Sequence, residues 1–261
     1  MSDASTNSKF GLWSQRLFAA TLLGGQVLVH LLAGKIHRRN TVEQMAVVGP
    51  ESLFITLLVA AVIGMVFSIE VTREFVSLGA GSTVGGVLAI ALGRELAPIL
   101  SAVVLAGRVG SAFAAEIGTM RVTEQIDALY VLKTDPIDYL VIPRVVACCL
   151  MLPVLTVFAF LIGMLGGMLV AEPYGISPTV FLNSARNFLS VWDLCTSPIK
   201  GFIFGALIAI IGCSWGLTTT GGAKGVGQST TTAVVTSLLA IFISNFFLSW
   251  LMFQGLGKVS L

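Results

Sequence analysis

The chain has 261 residues, of which 56% are hydrophobic and only 11% are charged, and its mean hydropathy is +0.94. A soluble domain carries roughly 25% charged residues, so the composition excludes an ordinary soluble protein and predicts an all-α integral membrane protein with several spans. The net charge of +2 gives no indication of nucleic-acid binding, and the four cysteines form neither a disulfide framework nor a metal-ligand spacing.

The N-terminal region, residues 1–49, is predicted to form a tail and an interfacial helix. Its apolar stretch, residues 10–34, is interrupted by polar residues and glycines, and a basic cluster that includes Lys35 follows. This pattern is typical of a helix lying along the membrane surface, with a short true span as the alternative. His30 is predicted to be an interface residue rather than a ligand. The opening residues show no secretory signal.

Residues 50–261 are predicted to form a membrane core of five transmembrane helices, in a single domain with residues 1–49. A charged turn at 70–74 is expected to follow the first span, and a polar loop at 171–197 is expected between spans three and four. A glycine- and threonine-rich loop is expected at 218–232. The spans themselves are predicted at residues 52–69, 84–117, 139–170, 199–217 and 233–253.

Lysine and arginine predict the orientation of these spans, because cytoplasmic loops carry an excess of both. Under a five-span topology most of them fall on one side, which holds the N-terminus, residues 121–138 and Lys224. That side is predicted to be cytoplasmic. Loop 171–197 and the C-terminus with Lys258 are predicted to lie on the far side.

A ridge of small residues runs along the second span. Ala106, Gly110, Ala114 and Gly118 recur every four residues, so they lie on one helix face. Small residues let helix backbones approach closely, which stabilises helix association in lipid. The ridge therefore predicts tight helix packing, although glycine is also common in membrane helices generally.

Charged residues lie unusually deep in the same span. Arg94 and Glu95 are surrounded by apolar residues, and Pro98 cannot donate a hydrogen bond to the Arg94 carbonyl. A polar pair, a bend and a free carbonyl predict a cavity wall, with a structural ion pair at the membrane edge as the alternative. Arg108 and Glu116 are predicted to form structural salt bridges.

The segment Arg121–Leu132 is predicted to be a short amphipathic helix on the cytoplasmic side, between spans two and three. Val122, Ile126, Leu129 and Tyr130 follow helical spacing and predict one apolar face. Such a helix, held between two long membrane helices, could transmit movement. The alternative is a solvated connector.

The stretch TTTGGAKGVGQSTTT resembles a phosphate-binding loop only in composition. Lys224 precedes the glycines Gly225 and Gly227, whereas a Walker motif requires the order GxxxxGK[ST]. The sequence therefore predicts that a partner or a gradient supplies any energy for transport.

Two long motifs resemble the signatures of the MlaE family of permeases. The first is GRELAPILSAVVLAGRVGSAFAAEIGTMRVTEQIDAL, with DPI shortly after, and the second is TTGGAKGVGQSTTTAVV. The resemblance covers nearly the whole chain and implies the permease subunit of an ABC transporter that moves phospholipids in association with MCE-domain proteins. It implies no catalytic residue, no metal ligand and no cofactor in this chain, because the partner ATPase binds ATP and Mg.

The resemblance also implies partners, a location and site residues. The implied partners are a second copy in a homodimer, ABC ATPase subunits and an MCE-domain substrate-binding protein. The implied location is the bacterial inner (plasma) membrane as a multi-pass protein, with the plastid inner envelope as the alternative. The implied substrate cavity is lined by Glu95, Arg94, Phe67, Phe75 and Leu78. The implied ATPase-coupling residues are Thr123, Glu124, Gln125, Asp127 and Leu129.

Two other function classes compete with this interpretation. A gradient-driven secondary transporter of an amphipathic substrate would need several intramembrane acids and an internal repeat. The sequence shows one mid-span pair and no repeat. An intramembrane enzyme would need a nucleophile and base or a metal set within the spans, yet the two histidines, His30 and His37, are both near the N-terminus.

Overall fold

The computed structural model describes the backbone of residues 2–32 and 37–256, and the side chains of residues 13–32 and 37–254. Within these residues the secondary structure is helical and contains no strand, so the predicted all-α class is confirmed. Lys35 and Lys258, two of the residues behind the predicted orientation, lie outside the described residues.

Eleven α-helices are described, joined by π-helical turns, 3₁₀ turns and short connections. The α-helices are α1 (Ser2–Leu32), α2 (Arg38–Val48), α3 (Pro50–Ser77), α4 (Val84–Ala91), α5 (Ala97–Leu105), α6 (Ser111–Val122), α7 (Gln125–Val131), α8 (Ile142–Ala171), α9 (Pro178–Phe188), α10 (Val191–Leu217) and α11 (Gly222–Trp250). The π-helical turns are Leu92–Leu96, Ala106–Gly110, Ile137–Val141 and Leu251–Leu256.

Five helical stretches in the described part of the chain are long and apolar enough to cross a membrane, which confirms the predicted number of spans. They are Arg38–Ser77, Gly81–Val122, Ile137–Tyr174, Val191–Leu217 and Gly222–Gln254. Helix α1 is not among them. Its position along the membrane surface stays a prediction.

The charged turn predicted at residues 70–74 is wrong, because α3 continues through it to Ser77. Thr72 is fully buried, and Val71 and Phe75 pack against a hydrophobic core, so tertiary contacts hold this segment helical. The helix ends before Gly79, whose φ of +72° favours glycine.

The polar loop predicted at residues 171–197 is also wrong, since most of it is helical. Ser177 caps α9 by accepting a hydrogen bond from the Val180 amide at 3.4 Å, and Pro178 occupies the first turn. Phe181 and Ala185, four residues apart, are buried on one face of α9. The Ser-Pro pair was a local signal for this helix.

The loop predicted at residues 218–232 is largely helical as well. Helix α11 begins at Gly222, so the connection from α10 consists of residues 218–221 alone. Gly221 and Gly222 have φ values of +87° and +64°, a conformation that favours glycine. Lys224 therefore lies in the first turn of a helix rather than in a loop.

The described residues form two compact units. The first comprises Met1–Val47, Ala106–Cys148 and Ala206–Ala240. Its core contains Ala114 and the fully buried Trp215, against which Trp13 and Leu17 of α1 pack. Helix α1 is thus part of the packed structure of this unit.

The second unit comprises Val48–Leu105, Cys149–Gly205 and Ile241–Leu261. Its core is formed by Leu88 and Leu92 with Phe181 of α9. Two helix backbones approach closely here: a Cβ added at Gly64 would lie only 2.1 Å from the Gly163 carbonyl oxygen. Only glycine fits at such a distance.

The small-residue ridge packs as predicted, against α10 of the same chain. A Cβ added at Gly212 would lie 2.9 Å from the Gly110 carbonyl oxygen, and one added at Gly216 would lie 2.7 Å from the Ile117 Cβ. Gly110 itself faces Ile208. The close helix contact predicted from the four-residue spacing is therefore confirmed within one protomer.

We expect Gly110→Leu to destabilise the protein, because an added Cβ would lie 3.2 Å from Ile208 Cγ2 and leucine continues beyond it. Overpacking of this kind costs about 2 kcal/mol. The matched control is Gly107→Leu, since no heavy atom lies within 4 Å of a Cβ added at Gly107. Thermal unfolding of the purified protein in detergent measures both. Equal unfolding temperatures for the two variants would contradict the packing.

Candidate functional site

The charged pair Arg94 and Glu95 lies in the π-helical turn Leu92–Leu96, in the second unit. Such turns insert one extra residue into a helix and are frequent at functional sites. Pro98 follows in α5 and has no amide hydrogen. The Arg94 carbonyl instead accepts a hydrogen bond from Lys200 Nζ at 2.7 Å. The predicted free carbonyl is therefore confirmed, together with its partner.

Glu95 is held by three side chains from two other helices. Its Oε1 accepts hydrogen bonds from Lys200 Nζ at 2.9 Å and from Ser249 Oγ at 2.6 Å. Its Oε2 accepts a hydrogen bond from Asn245 Nδ2 at 2.7 Å. Lys200 Nζ also donates to Ser249 Oγ at 2.8 Å, which closes a ring of hydrogen bonds. The carboxylate side chain remains 37% exposed.

Arg94 pairs with a different acid. Its Nε donates to Asp193 Oδ1 at 2.7 Å, and the guanidinium lies 4.6 Å from the centre of the Phe253 ring. The second oxygen of Asp193, Oδ2, accepts hydrogen bonds from the amide and the hydroxyl of Ser190. Asp193 is almost completely buried.

Arg94 and Glu95 are thus neighbours in the chain that pair with different partners. Adjacent residues on a helix point in different directions, so they do not face each other. Lys200 is the functional residue that the sequence analysis missed, and its side chain is fully buried. The signal was present in the sequence as one lysine among the apolar residues of the fourth span.

We name the cluster of Arg94, Glu95, Asp193 and Lys200 the charge cluster. It contains two cations and two anions, all within the second unit and all within candidate spans. An isolated charge is costly in a membrane interior. Here each charged group has a partner of opposite charge and is hydrogen-bonded to it, which offsets that cost. The cluster is thus a neutral polar region in an otherwise apolar bundle.

The predicted apolar walls of the cavity have different surroundings. Phe67 and Phe75 are half-buried and pack against the core of the second unit, as does Leu96, the neighbour of Glu95. Leu78, in contrast, is 77% exposed and follows the last residue of α3. The assignment of Phe67, Phe75, Leu78, Arg94 and Glu95 to a substrate cavity stays a prediction.

The predicted coupling segment is interrupted. Helix α6 ends at Val122, and Glu124 has φ of +61°, so α7 begins only at Gln125. Ile126 is buried, whereas Tyr130, which was predicted on the same apolar face, is 61% exposed. Of the predicted coupling residues, Leu129 is half-buried, and the others are exposed: Thr123, Glu124, Gln125 and Asp127.

The remaining charges predicted in the second span have structural contacts. Glu116 Oε2 accepts a hydrogen bond from Arg144 Nη2 at 2.8 Å, which confirms its salt bridge. Arg108 Nη1 donates to the Val47 carbonyl at 3.0 Å. Both contacts join separate parts of the first unit.

A second polar group lies in the first unit, where His30 Nδ1 contacts the Asp138 carboxylate. Asp135 lies beside them, and the ligand atoms of the three residues are within 4.8 Å of one another. Asp135 Oδ1 also accepts a hydrogen bond from the Ile137 amide at 2.9 Å. The contact links α1 to the start of the third span. That this chain holds no metal stays a prediction.

Five apolar helical stretches and a charge cluster within them define a polytopic α-helical membrane protein, with the buried polar region typical of transport proteins. Residues 41–251 match the family model for Permease MlaE. The chain therefore belongs to the MlaE permease family.

Several relatives agree with this family. A probable ABC transporter permease protein of Synechocystis sp. is 65% identical over the full length of both chains. Protein TRIGALACTOSYLDIACYLGLYCEROL 1, chloroplastic, of Arabidopsis thaliana is 51% identical over 95% of this chain and 73% of its own length. A probable ABC transporter permease protein of Pyropia yezoensis is 49% identical over 94% of each chain.

The family defines the general role of the chain. It is an ABC transporter permease, a multi-pass transport subunit whose partners include ATPase subunits. This role separates it from a gradient-driven transporter and from an intramembrane enzyme, the two alternatives that the sequence left open.

We expect Lys200→Met to destabilise the protein, because Glu95 would lose the ammonium group with which it forms a salt bridge. Breaking a buried pair costs about 3–5 kcal/mol, and we expect about 2–3 kcal/mol here because Glu95 is partly exposed. Adding Glu95→Gln should recover part of the loss, since the amide carries no charge. Thermal unfolding of both single variants and the double variant measures the coupling.

The control is Arg39→Met, which removes a cation from the exposed Arg39–Glu43 pair. We expect a change within about 0.5 kcal/mol, as is usual for surface pairs. A Lys200→Met variant as stable as the wild type would contradict the importance of the charge cluster.

Proposed function

We propose that this chain is the permease of a homodimeric ABC transporter that moves phospholipids between membranes, driven by separate ATPase subunits and assisted by an MCE-domain protein. The observation that carries the proposal is the partly exposed Glu95 carboxylate, held by hydrogen bonds within a neutral charge cluster in an apolar bundle. A phospholipid needs apolar surfaces for its tails and a polar group for its head.

An uncovered apolar face of α3 supports the lipid substrate. Phe54, Leu58, Val62 and Val66 are spaced by four residues and are each between 45% and 78% exposed. These side chains are apolar, so the stripe can pack against acyl chains, bilayer lipid or the same helix of a second copy. The proposed homodimer would place two of these faces near the substrate path.

The name of one relative supports a glycerolipid. The Arabidopsis protein is named after trigalactosyldiacylglycerol, a lipid with two acyl chains on glycerol. At 51% identity over most of this chain, a substrate built on the same diacylglycerol unit is the simplest proposal. In this proposal the charge cluster contacts the head group of that lipid.

The proposed mechanism uses Glu95 as a polar contact for the head group. Lys200, Ser249 and Asn245 orient the carboxylate and offset its charge, which lessens repulsion of a lipid phosphate. Arg94, paired with Asp193 and 35% exposed, presents a cation on the same turn. Acyl chains would meet the apolar residues of α3.

The proposed coupling to ATP hydrolysis uses the connection between α6 and α7. Its exposed acids, Glu124 and Asp127, are available for contact with an ATPase subunit, and Asp127 accepts a hydrogen bond from Arg121 at 2.8 Å. We place this connection on the cytoplasmic side and the MCE-domain protein on the other. The proposed membrane is the bacterial inner membrane or the plastid inner envelope.

We expect Glu95→Ala to lower phospholipid transfer by about tenfold per assembled complex, because the head group loses its polar contact. The control is Glu74→Ala, which removes an exposed carboxylate at the end of α3. Transfer of fluorescent phospholipid between vesicles by the reconstituted complex, normalised to complex recovered, measures the effect. Full transfer by Glu95→Ala would refute the role of this residue.

We expect the double variant Glu124→Lys and Asp127→Lys to lose the ATPase subunits, because reversed charges would repel a surface that binds the native acids. The permease should still insert and unfold at the wild-type temperature, since both side chains are exposed. Co-purification of the ATPase measures binding. The control carries the same reversals at Glu70 and Glu74, which are exposed on α3. Undiminished ATPase recovery by the first variant would rule out this coupling surface.

A further inference from the structure

A cavity of about 740 Å³ lies in the first unit and contains no residue of the charge cluster. Trp13 and Arg16 of α1 line one side, and Lys224, Gly227 and Gln228 from the first turns of α11 line another. The cavity is therefore lined largely by the glycine- and threonine-rich stretch, to which the proposed transport function assigns no role.

The lining of this cavity is basic. Arg16 and Lys224 both contribute to it, and no carboxylate is among its described lining residues. Arg16 Nη1 lies 3.5 Å from Ser229 Oγ, a weak contact with a neutral group. Arg94 and Lys200, in contrast, each have a carboxylate partner. Two cations in a cavity whose described lining contains no acid favour an anionic ligand.

Further hydrogen-bond donors surround the two cations. Lys224 offers three N–H groups and Arg16 five, and the side-chain amide of Gln228 and the hydroxyl of Thr220 also line the cavity. Charge-assisted hydrogen bonds from arginine and lysine suit the oxygens of a phosphate. The cavity volume exceeds that of a phosphate ion, so the cavity has room for further atoms of a ligand.

The surroundings favour an amphiphile over a soluble anion. Phe18 and Leu22 of α1 are 66% and 55% exposed, close in sequence to Arg16. Trp13 provides an indole ring, a group enriched at the level of lipid head groups. An anionic lipid would match both the basic lining and the apolar surface, with its head group at the two cations and its acyl chains along α1. Basic pockets between membrane helices bind anionic lipid head groups in this way.

We propose that this cavity binds the phosphate-bearing head group of an anionic lipid and thereby secures α1 to α11. The proposed site consists of residues of the first unit, whereas the charge cluster consists of residues of the second. It assigns a role to Lys224 and the neighbouring glycines, whose order excludes a Walker loop.

Gly225 and Gly227 differ in whether a side chain can be added, so Gly227 can be used to fill the cavity. A Cβ added at Gly225 would lie 1.8 Å from the Thr220 carbonyl oxygen, so a substitution there disrupts the backbone. No heavy atom lies within 4 Å of a Cβ added at Gly227, which lines the cavity. Gly227→Leu should therefore occupy the cavity without changing its charge.

The experiment uses the purified full chain in a neutral detergent and measures binding by tryptophan fluorescence and calorimetry. The probes are dihexanoylphosphatidylglycerol, dihexanoylphosphatidylcholine and inorganic phosphate. We expect the anionic lipid to bind more tightly than the other two. Lys224→Gln and Arg16→Gln should each weaken its binding by about tenfold, since each removes a charge-assisted hydrogen bond. Gly227→Leu should abolish the part of the binding that depends on Lys224.

Two controls separate the site from general electrostatics. Lys224→Arg keeps the cation and should retain binding. Arg38→Gln removes an exposed cation from α2, outside the cavity lining, and should also bind as the wild type does. The unfolding temperature of each variant confirms that it is folded.

The proposal has outcomes that would overturn it. Equal binding of the anionic and zwitterionic lipids, or binding unchanged by both Lys224→Gln and Gly227→Leu, would show that the cavity is not this site. Inorganic phosphate binding as tightly as the anionic lipid would assign the cavity to a soluble anion instead. Each comparison is between the wild type and a variant of the cavity lining, so binding of a probe at the charge cluster, which these variants leave unchanged, does not affect the difference.

Discussion

The buried ammonium group of Lys200 is the constraint on which the second unit depends. With no exposed surface, it needs a carboxylate and further acceptors nearby, and it finds Glu95, Ser249 and the Arg94 carbonyl. These partners come from the π-helical turn and from the end of α11. One cation thereby links three helical segments, because a buried charge left without a partner costs about 3–5 kcal/mol.

The same constraint makes a polar site possible inside an apolar bundle. Asp193 balances Arg94 as Glu95 balances Lys200, so the charge cluster as a whole is neutral. The buried members, Asp193 and Lys200, hold the partly exposed members in place. Structure and function are therefore connected: the groups that stabilise the helices also orient the side chains that we propose meet the lipid head group.

Close backbone contact is the second general feature of the structure. Between apolar helices in lipid there is little hydrophobic drive for association, so packing at short range has to supply it. Gly64 against Gly163 in one unit, and Gly212 against Gly110 in the other, provide such contacts. The glycines at these contacts are thus better understood as packing residues than as flexible ones, whereas the glycines at the turns have positive φ.

The sequence by itself determined the all-α class, the five spans, the packing ridge, the free Arg94 carbonyl and the family, since each depends on composition, local spacing or a contiguous motif. It did not determine the partners of Arg94 and Glu95, which lie between 99 and 154 residues away in the chain. Nor did it show that residues 70–77, 178–188 and 222–232 are helical. Polar residues there suggested loops, but in α3 and α9 tertiary packing buries one face of each segment and keeps it helical. Only folding brings helix faces and charged side chains from distant parts of the chain together. Asp193 and Lys200 are then buried, and a buried charge requires a partner of opposite charge.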